Sequence, residues 1–193
     1  MQDNESPSKL VTSKTTDFVG EDKSKASPGK HRSKLRLFVI VTALVVTLDQ
    51  LSKLWIAANQ PQTHLELLPG FINLVYVENT GAIFGLLPNH TELFIALGIA
   101  GSLIILVFLH YHPPTTTLGM SSLALILGGG LGNLIDRIRL GYAIDFISFQ
   151  LFRWPAFNIA DAAIIVGILT LIYYFYKSGI LRKHHEYDHT SGD

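Results

Sequence analysis

The chain has 193 residues, 48% hydrophobic and 16% charged, with zero formal net charge and no cysteine; its mean hydropathy is +0.33. The missing thiols exclude disulfides, thiolate catalysis and cysteine metal sites, and the neutral balance gives no reason to expect a nucleic-acid partner. Length alone would allow one soluble domain, but the apolar residues are gathered into long runs that argue for a membrane protein.

Residues 1–34, rich in Ser, Lys, Thr, Asp and Glu, are expected to form a disordered cytoplasmic tail. A transmembrane domain over 35–177 follows, with spans at about 35–58, 92–111, 118–138 and 157–176, each near the roughly 20 residues that a crossing helix needs. Residues 178–193 form a second polar cytoplasmic tail. The first span ends in "DQLSK" rather than a small-residue cleavage site, so it is read as retained. Between the first two spans, "HLELLPGFINLVYVENTGAIFGLLP" (64–88) carries β-prone residues punctuated by Pro69-Gly70 and Asn79-Thr80-Gly81. It is expected to give a small antiparallel sheet at the outer surface. The fold class is thus an all-α membrane protein of four transmembrane helices with a small extracytoplasmic β-sheet from the first outer loop. Tyr173, Tyr174 and Tyr176 suit an interfacial belt.

Eight of the fifteen Lys and Arg lie in residues 1–36, and Lys177, Arg182 and Lys183 follow the last span. The positive-inside rule then puts both termini in the cytoplasm and loops 59–91 and 139–156 outside. Arg137, Arg139 and Arg153 run against this rule, as if positive charge were needed locally.

The ionisable groups within spans gather at one level. Asp49 and Lys53 share a helix face at the outer end of the first span; Asn133, Asp136 and Arg137 end the third; Asp145 follows in "AIDFI"; Asn158 and Asp161 open the fourth. A carboxylate in a transmembrane helix costs about 2.5–3.5 kcal/mol on insertion scales, so such a gathering marks a site. The plainer readings are an Asp49–Lys53 ion pair with Lys53 snorkelling outward, and close helix packing at "GGGLG" (128–132), which is no phosphate loop because it lies within an apolar span. None of the eight histidines lies at the outer polar level within a span, so a serine–histidine site is unsupported. "HEYDH" (185–189) matches a zinc-protease pattern but sits in the polar tail, and no metal site is expected there. Carboxylate pairs remain. Two close aspartates share a proton and can activate water on an amide without metal, cofactor or covalent intermediate. Asp161 is one candidate; Asp136, Asp145 or Asp49 could be its partner. Spacing does not choose, and burial in "AIDFI" leans weakly to Asp145.

Five blocks in order, "DQLSK" (49–53), "ENTGAIFG" (78–85), "GGGLGNLIDR" (128–137), "AIDFI" (143–147) and "FNIAD" (157–161), resemble lipoprotein signal peptidase (signal peptidase II), the bacterial membrane aspartyl protease family. The resemblance covers about 35–177. It implies that Asp145 and Asp161 are the catalytic pair and that Asn79, Asn133, Arg137, Asn158, Asp49 and Lys53 bind substrate or organise the site. It also implies a diacylglyceryl-modified prolipoprotein as substrate, cut on the amino side of its lipobox cysteine, and inhibition by globomycin. The implied setting is the bacterial cytoplasmic membrane, with membrane lipids around a monomer and the site near the extracytoplasmic face. Glu78, Ile83 and Gly130 depart from the family pattern. A small carrier or proton-coupled channel is the alternative, and it calls for polar groups at several depths.

Overall fold

The computed structural model describes residues 28–60, 65–81, 90–151 and 154–179. Most of the N-terminal tail, residues 82–89 with Ile83, Arg153 and the "HEYDH" stretch lie outside the described residues. Four helices are long and apolar enough to cross a membrane: α1 (Pro28–Ala58), α2 (Thr91–Tyr111), α3 (Thr117–Leu140) and α4 (Ile159–Lys177). α1 begins ahead of residue 35, because the basic Lys30–Arg36 stretch continues the helix rather than belonging to the tail.

The ends of the helices follow from local chemistry. The Thr116 hydroxyl caps α3 by accepting from the Gly119 N–H at 3.1 Å. At the other end Gly141 adopts a left-handed φ of 84° and donates to the Arg137 carbonyl, a position that favours glycine because it has no Cβ. α2 is apolar on all sides and has no buried residue, as expected of a helix whose surroundings are hydrocarbon.

α3 is the centre of the bundle and packs on α1, α2 and α4. The glycines of "GGGLG" set how closely. A Cβ at Gly128 would meet Val45 and the Thr42 carbonyl of α1, one at Gly129 would meet the Ala160 carbonyl of α4, and one at Gly132 would lie 2.6 Å from Asp49 Oδ2. Gly130 faces open space. Phe38, Met120, Leu123, Ala124 and Leu127 form the apolar core between α1 and α3.

The sheet has three antiparallel strands in the order β1 (Leu65–Leu68), β2 (Ile72–Asn79), β3 (Ala143–Phe149). Its first two strands come from the connection between α1 and α2, as the sequence suggests, but β3 comes from the connection between α3 and α4. β3 shows no alternation: its first four residues are all buried, with Ile144 and Phe146 packed on Ile56 and Leu74. Asp145 stands opposite Val77 in the register, and Ala143 opposite Asn79. An isolated bridge then joins Ile147 to Phe157. Phe157 N donates to the Ile147 carbonyl at 3.0 Å, and the Phe157 carbonyl accepts from Phe146 and Ile147. This bridge sets the start of α4 beside β3.

Candidate active site

The residues singled out by sequence meet at the sheet end of the bundle. One of them is a buried cation. Lys53 is 1% exposed, and its Nζ is 2.8 Å from Asp49 Oδ2 and 2.8 Å from Asp136 Oδ2. The expectation that Lys53 snorkels outward is therefore corrected: two carboxylates from two helices hold the ammonium inside, where low dielectric strengthens their attraction. Asp136 pairs with Lys53, not with adjacent Arg137, because neighbours on a helix point about 100° apart. Gln50, which sequence reading passed over, ties the group together. Its Nε2 donates to Asp136 Oδ1 at 2.9 Å and to the Gly132 carbonyl at 3.2 Å, while its Oε1 accepts from Arg139. The visible signal was its place beside Asp49 in "DQLSK".

Asp49 also reaches the start of α4. Its Oδ1 accepts from the Ala160 N–H at 3.0 Å, one of the first-turn donors with no partner inside the helix. The next such donor, Asp161 N, is taken by Asn158 Oδ1 at 2.9 Å, and Asp161 Oδ2 accepts in return from Asn158 N at 3.2 Å. The pair forms a capping box. An acid at this depth is thus satisfied by the helix terminus that it closes, where the dipole favours negative charge. Its other oxygen, Oδ1, accepts from Asn133 Nδ2 at 2.7 Å.

Asp145 reaches the same place from β3 and is 2% exposed. Its Oδ2 accepts from Asn79 Nδ2 and its Oδ1 from Asn158 Nδ2, both at 2.7 Å. Burial pushes its pKa up to about 7, and the nearby Asp161 carboxylate adds to the rise. The Asn79 and Asn158 amides and the Lys53 charge oppose it.

Asp145 and Asp161 both line a cavity of about 150 Å³, with Asn79, Arg137, Trp154, Pro155 and Phe157 among its other walls. Trp154 and Pro155 were not anticipated; the signal for them was their place just ahead of the "FNIAD" block that Phe157 opens. Arg137 donates to the Gly81 carbonyl at 3.0 Å and stands 5.2 Å over the Phe94 ring. Together with the Arg139–Gln50 contact, this gives Arg137 and Arg139 local partners. Glu78 is exposed and accepts from the Tyr76 hydroxyl at 3.2 Å. Among the described residues no group of three or more His, Cys, Asp or Glu is placed to hold a metal ion.

The family profile described as signal peptidase (SPase) II matches residues 41–177. The chain belongs to the signal peptidase II family. It is similar to the lipoprotein signal peptidase of Moorella thermoacetica, 47% identical over 135 residues that span 69% of this chain and 89% of that one. It is also similar to that of Syntrophotalea carbinolica, 39% identical over 155 residues, 77% of this chain and 96% of that one. Two solved bacterial membrane enzymes share the fold, with TM-scores of 0.67 and 0.64 at 28% and 27% identity. Each covers 72% of this chain, and the match takes in 87% and 91% of theirs. As a signal peptidase II, the protein is a membrane peptidase that removes signal peptides from lipoproteins. All eight site residues named from the sequence fall within the matched stretch.

Proposed function

We propose that this signal peptidase II is an aspartic endopeptidase with Asp145 and Asp161 as its reacting pair. Its substrate is a prolipoprotein whose lipobox cysteine carries diacylglycerol, cut on the amino side of that cysteine. The observation that carries the reading is the shared cavity. Two carboxylates from different elements line it, each fixed by asparagine amides, and its described walls hold no hydroxyl, thiol or imidazole.

A pair that holds one proton near neutrality has both an acid and a base ready. One carboxylate takes a proton from water as its oxygen attacks the scissile carbonyl carbon. The other carboxyl donates its proton to the carbonyl oxygen. On collapse the carboxyl protonates the leaving nitrogen, the C–N bond breaks, and the ionised carboxylate takes a hydroxyl proton from the diol, so the pair again holds one proton. Asn79, Asn133 and Asn158 orient the carboxylates, Arg137 holds Gly81 at the cavity wall, and Asp49 and Lys53 brace α1 against α3 and α4.

The peptidase unit, 35–177, works as a monomer in the bacterial cytoplasmic membrane. Both tails are cytoplasmic and the cavity lies near the outer face, so the signal helix and its lipid enter sideways from the bilayer. Globomycin-type peptides compete for the same cavity. The gathering of charge at one end of the bundle favours this reading over a carrier.

Purified full-length protein and a synthetic prolipoprotein with a diacylglyceryl cysteine provide the test. D145N and D161N, each folded and inserted, are expected to lose more than about a hundredfold in cleavage, the lower range of general acid–base contributions. Near-normal cleavage by either variant overturns the pair. Equal cleavage of the unlipidated peptide overturns the lipid requirement.

A further inference from the structure

Two side-chain amides stand between the buried cation and the two carboxylates. Asn133 Oδ1 accepts from Lys53 Nζ and from Asn158 Nδ2, both at 3.0 Å, and its Nδ2 donates to Asp161. Asn158 Nδ2 donates to Asn133 Oδ1, to the Ile144 carbonyl at 3.2 Å and to Asp145 Oδ1. An amide has an accepting end and a donating end, and either can face a given neighbour unless that neighbour discriminates. An ammonium discriminates fully, because it has three donors and no lone pair. Lys53 is pinned by Asp49 and Asp136, so Asn133 must turn its oxygen toward Lys53. Its NH₂ then faces Asp161. The same oxygen accepts from the Asn158 NH₂, which faces it because Asn158 Oδ1 is taken by the Asp161 N–H, and that NH₂ also meets Asp145.

We infer that Lys53 is a positioning residue that sets the direction of the Asn133 amide, so that it presents an N–H group rather than a carbonyl to Asp161 and its oxygen to the Asn158 NH₂ that meets Asp145. This deepens the aspartic-pair reading and rests on it. The ion pair then does more than brace a helix. It converts the fixed sign of one buried charge into the polarity of a hydrogen-bond chain ending on both aspartates. With the Asn133 amide reversed, a carbonyl would face Asp161, and that contact favours the protonated carboxyl over the carboxylate. The charges that bear on this group are Asp49 on α1, Asp136 and Arg137 on α3, Asp161 on α4 and Asp145 on β3.

Lys53→Met alone would leave two carboxylates facing each other without a cation. The informative variant is K53M combined with D49N, which keeps the net charge of the Lys53–Asp49–Asp136 group at about −1, as in the parent. It is read as the pH profile of kcat/KM on the diacylglyceryl peptide, in full-length protein shown to be folded and inserted. The expected result is a loss of about tenfold or more, with both limbs of the profile moved to higher pH by about one unit, because the carboxylates have lost donors while net charge is unchanged. N133L is measured beside it. If Lys53 acts through Asn133, adding K53M and D49N to N133L moves the limbs no further. Limbs that coincide with the parent, or shifts that add in full on the N133L background, overturn the inference. Activity retained by D145N or D161N would instead remove the pair itself, so the two failures are distinguishable.

Discussion

Asp161 serves two purposes through its two oxygens. Oδ2 closes the capping box of α4, while Oδ1 rests on Asn133 and the side chain lines the cavity. Asp145 has no such structural use, and burial holds its pKa near 7, well above the usual carboxylate value of 3.8. The sign of its linkage follows. A carboxyl that binds its proton more tightly when folded favours the folded state at low pH, and that contribution is lost as pH rises through 7. D145N removes the ionisation, so it is expected to stabilise the protein. The gain should be on the order of a few kcal/mol at pH 8, since each tenfold change in proton affinity is worth about 1.4 kcal/mol, and much smaller at pH 5. Denaturation at the two pH values in one detergent checks it, and equal gains at both would contradict the burial argument. That Asp145 is buried was legible from "AIDFI". That Lys53 turns inward was not, because its second carboxylate comes from another helix, 83 residues along the chain.

At the scale of elements, the glycines of α3 decide whether the site assembles. Gly129 lies against the Ala160 carbonyl, one residue before Asp161. G129L is expected to force α3 and α4 apart, at a cost of about 1–3 kcal/mol or more, and to abolish cleavage. Gly130 has no atom in the way, so G130A is expected to leave activity intact and to stabilise α3 by about 0.5–1 kcal/mol through helix propensity. Thermal unfolding alongside cleavage separates the two outcomes. The spans were readable because uninterrupted apolar runs of about 20 residues have few other uses. β3 was not readable as a strand, because its first four residues are all buried and the period of two that marks a half-exposed strand is missing.

At the scale of the whole molecule, the proposed topology rests on charge asymmetry, with the basic residues crowding the two chain termini. The chain has no cysteine of its own, so single introduced cysteines report cleanly. L67C, on the exposed edge of the sheet, is expected to react with a membrane-impermeant maleimide in cells whose outer barrier is open. T115C, in the α2–α3 turn, is expected to react only after lysis. The reverse pattern would invert the proposed topology. Arg137 and Arg139, which the proposed topology puts outside against the charge rule, each have a local partner: Gly81 and Phe94 for one and Gln50 for the other.

The bridge between Ile147 and Phe157 also bears on how the molecule is made. One acid rides on a strand and the other on a helix, and β2, from an earlier loop, is the partner that β3 needs before the two acids can meet. A chain inserted from its N-terminus has both acids only when α4, the last span, has been delivered. On the proposed pair and topology, the nascent chain is expected to stay inert during its own insertion, with cleavage beginning once α4 has followed the last loop into place.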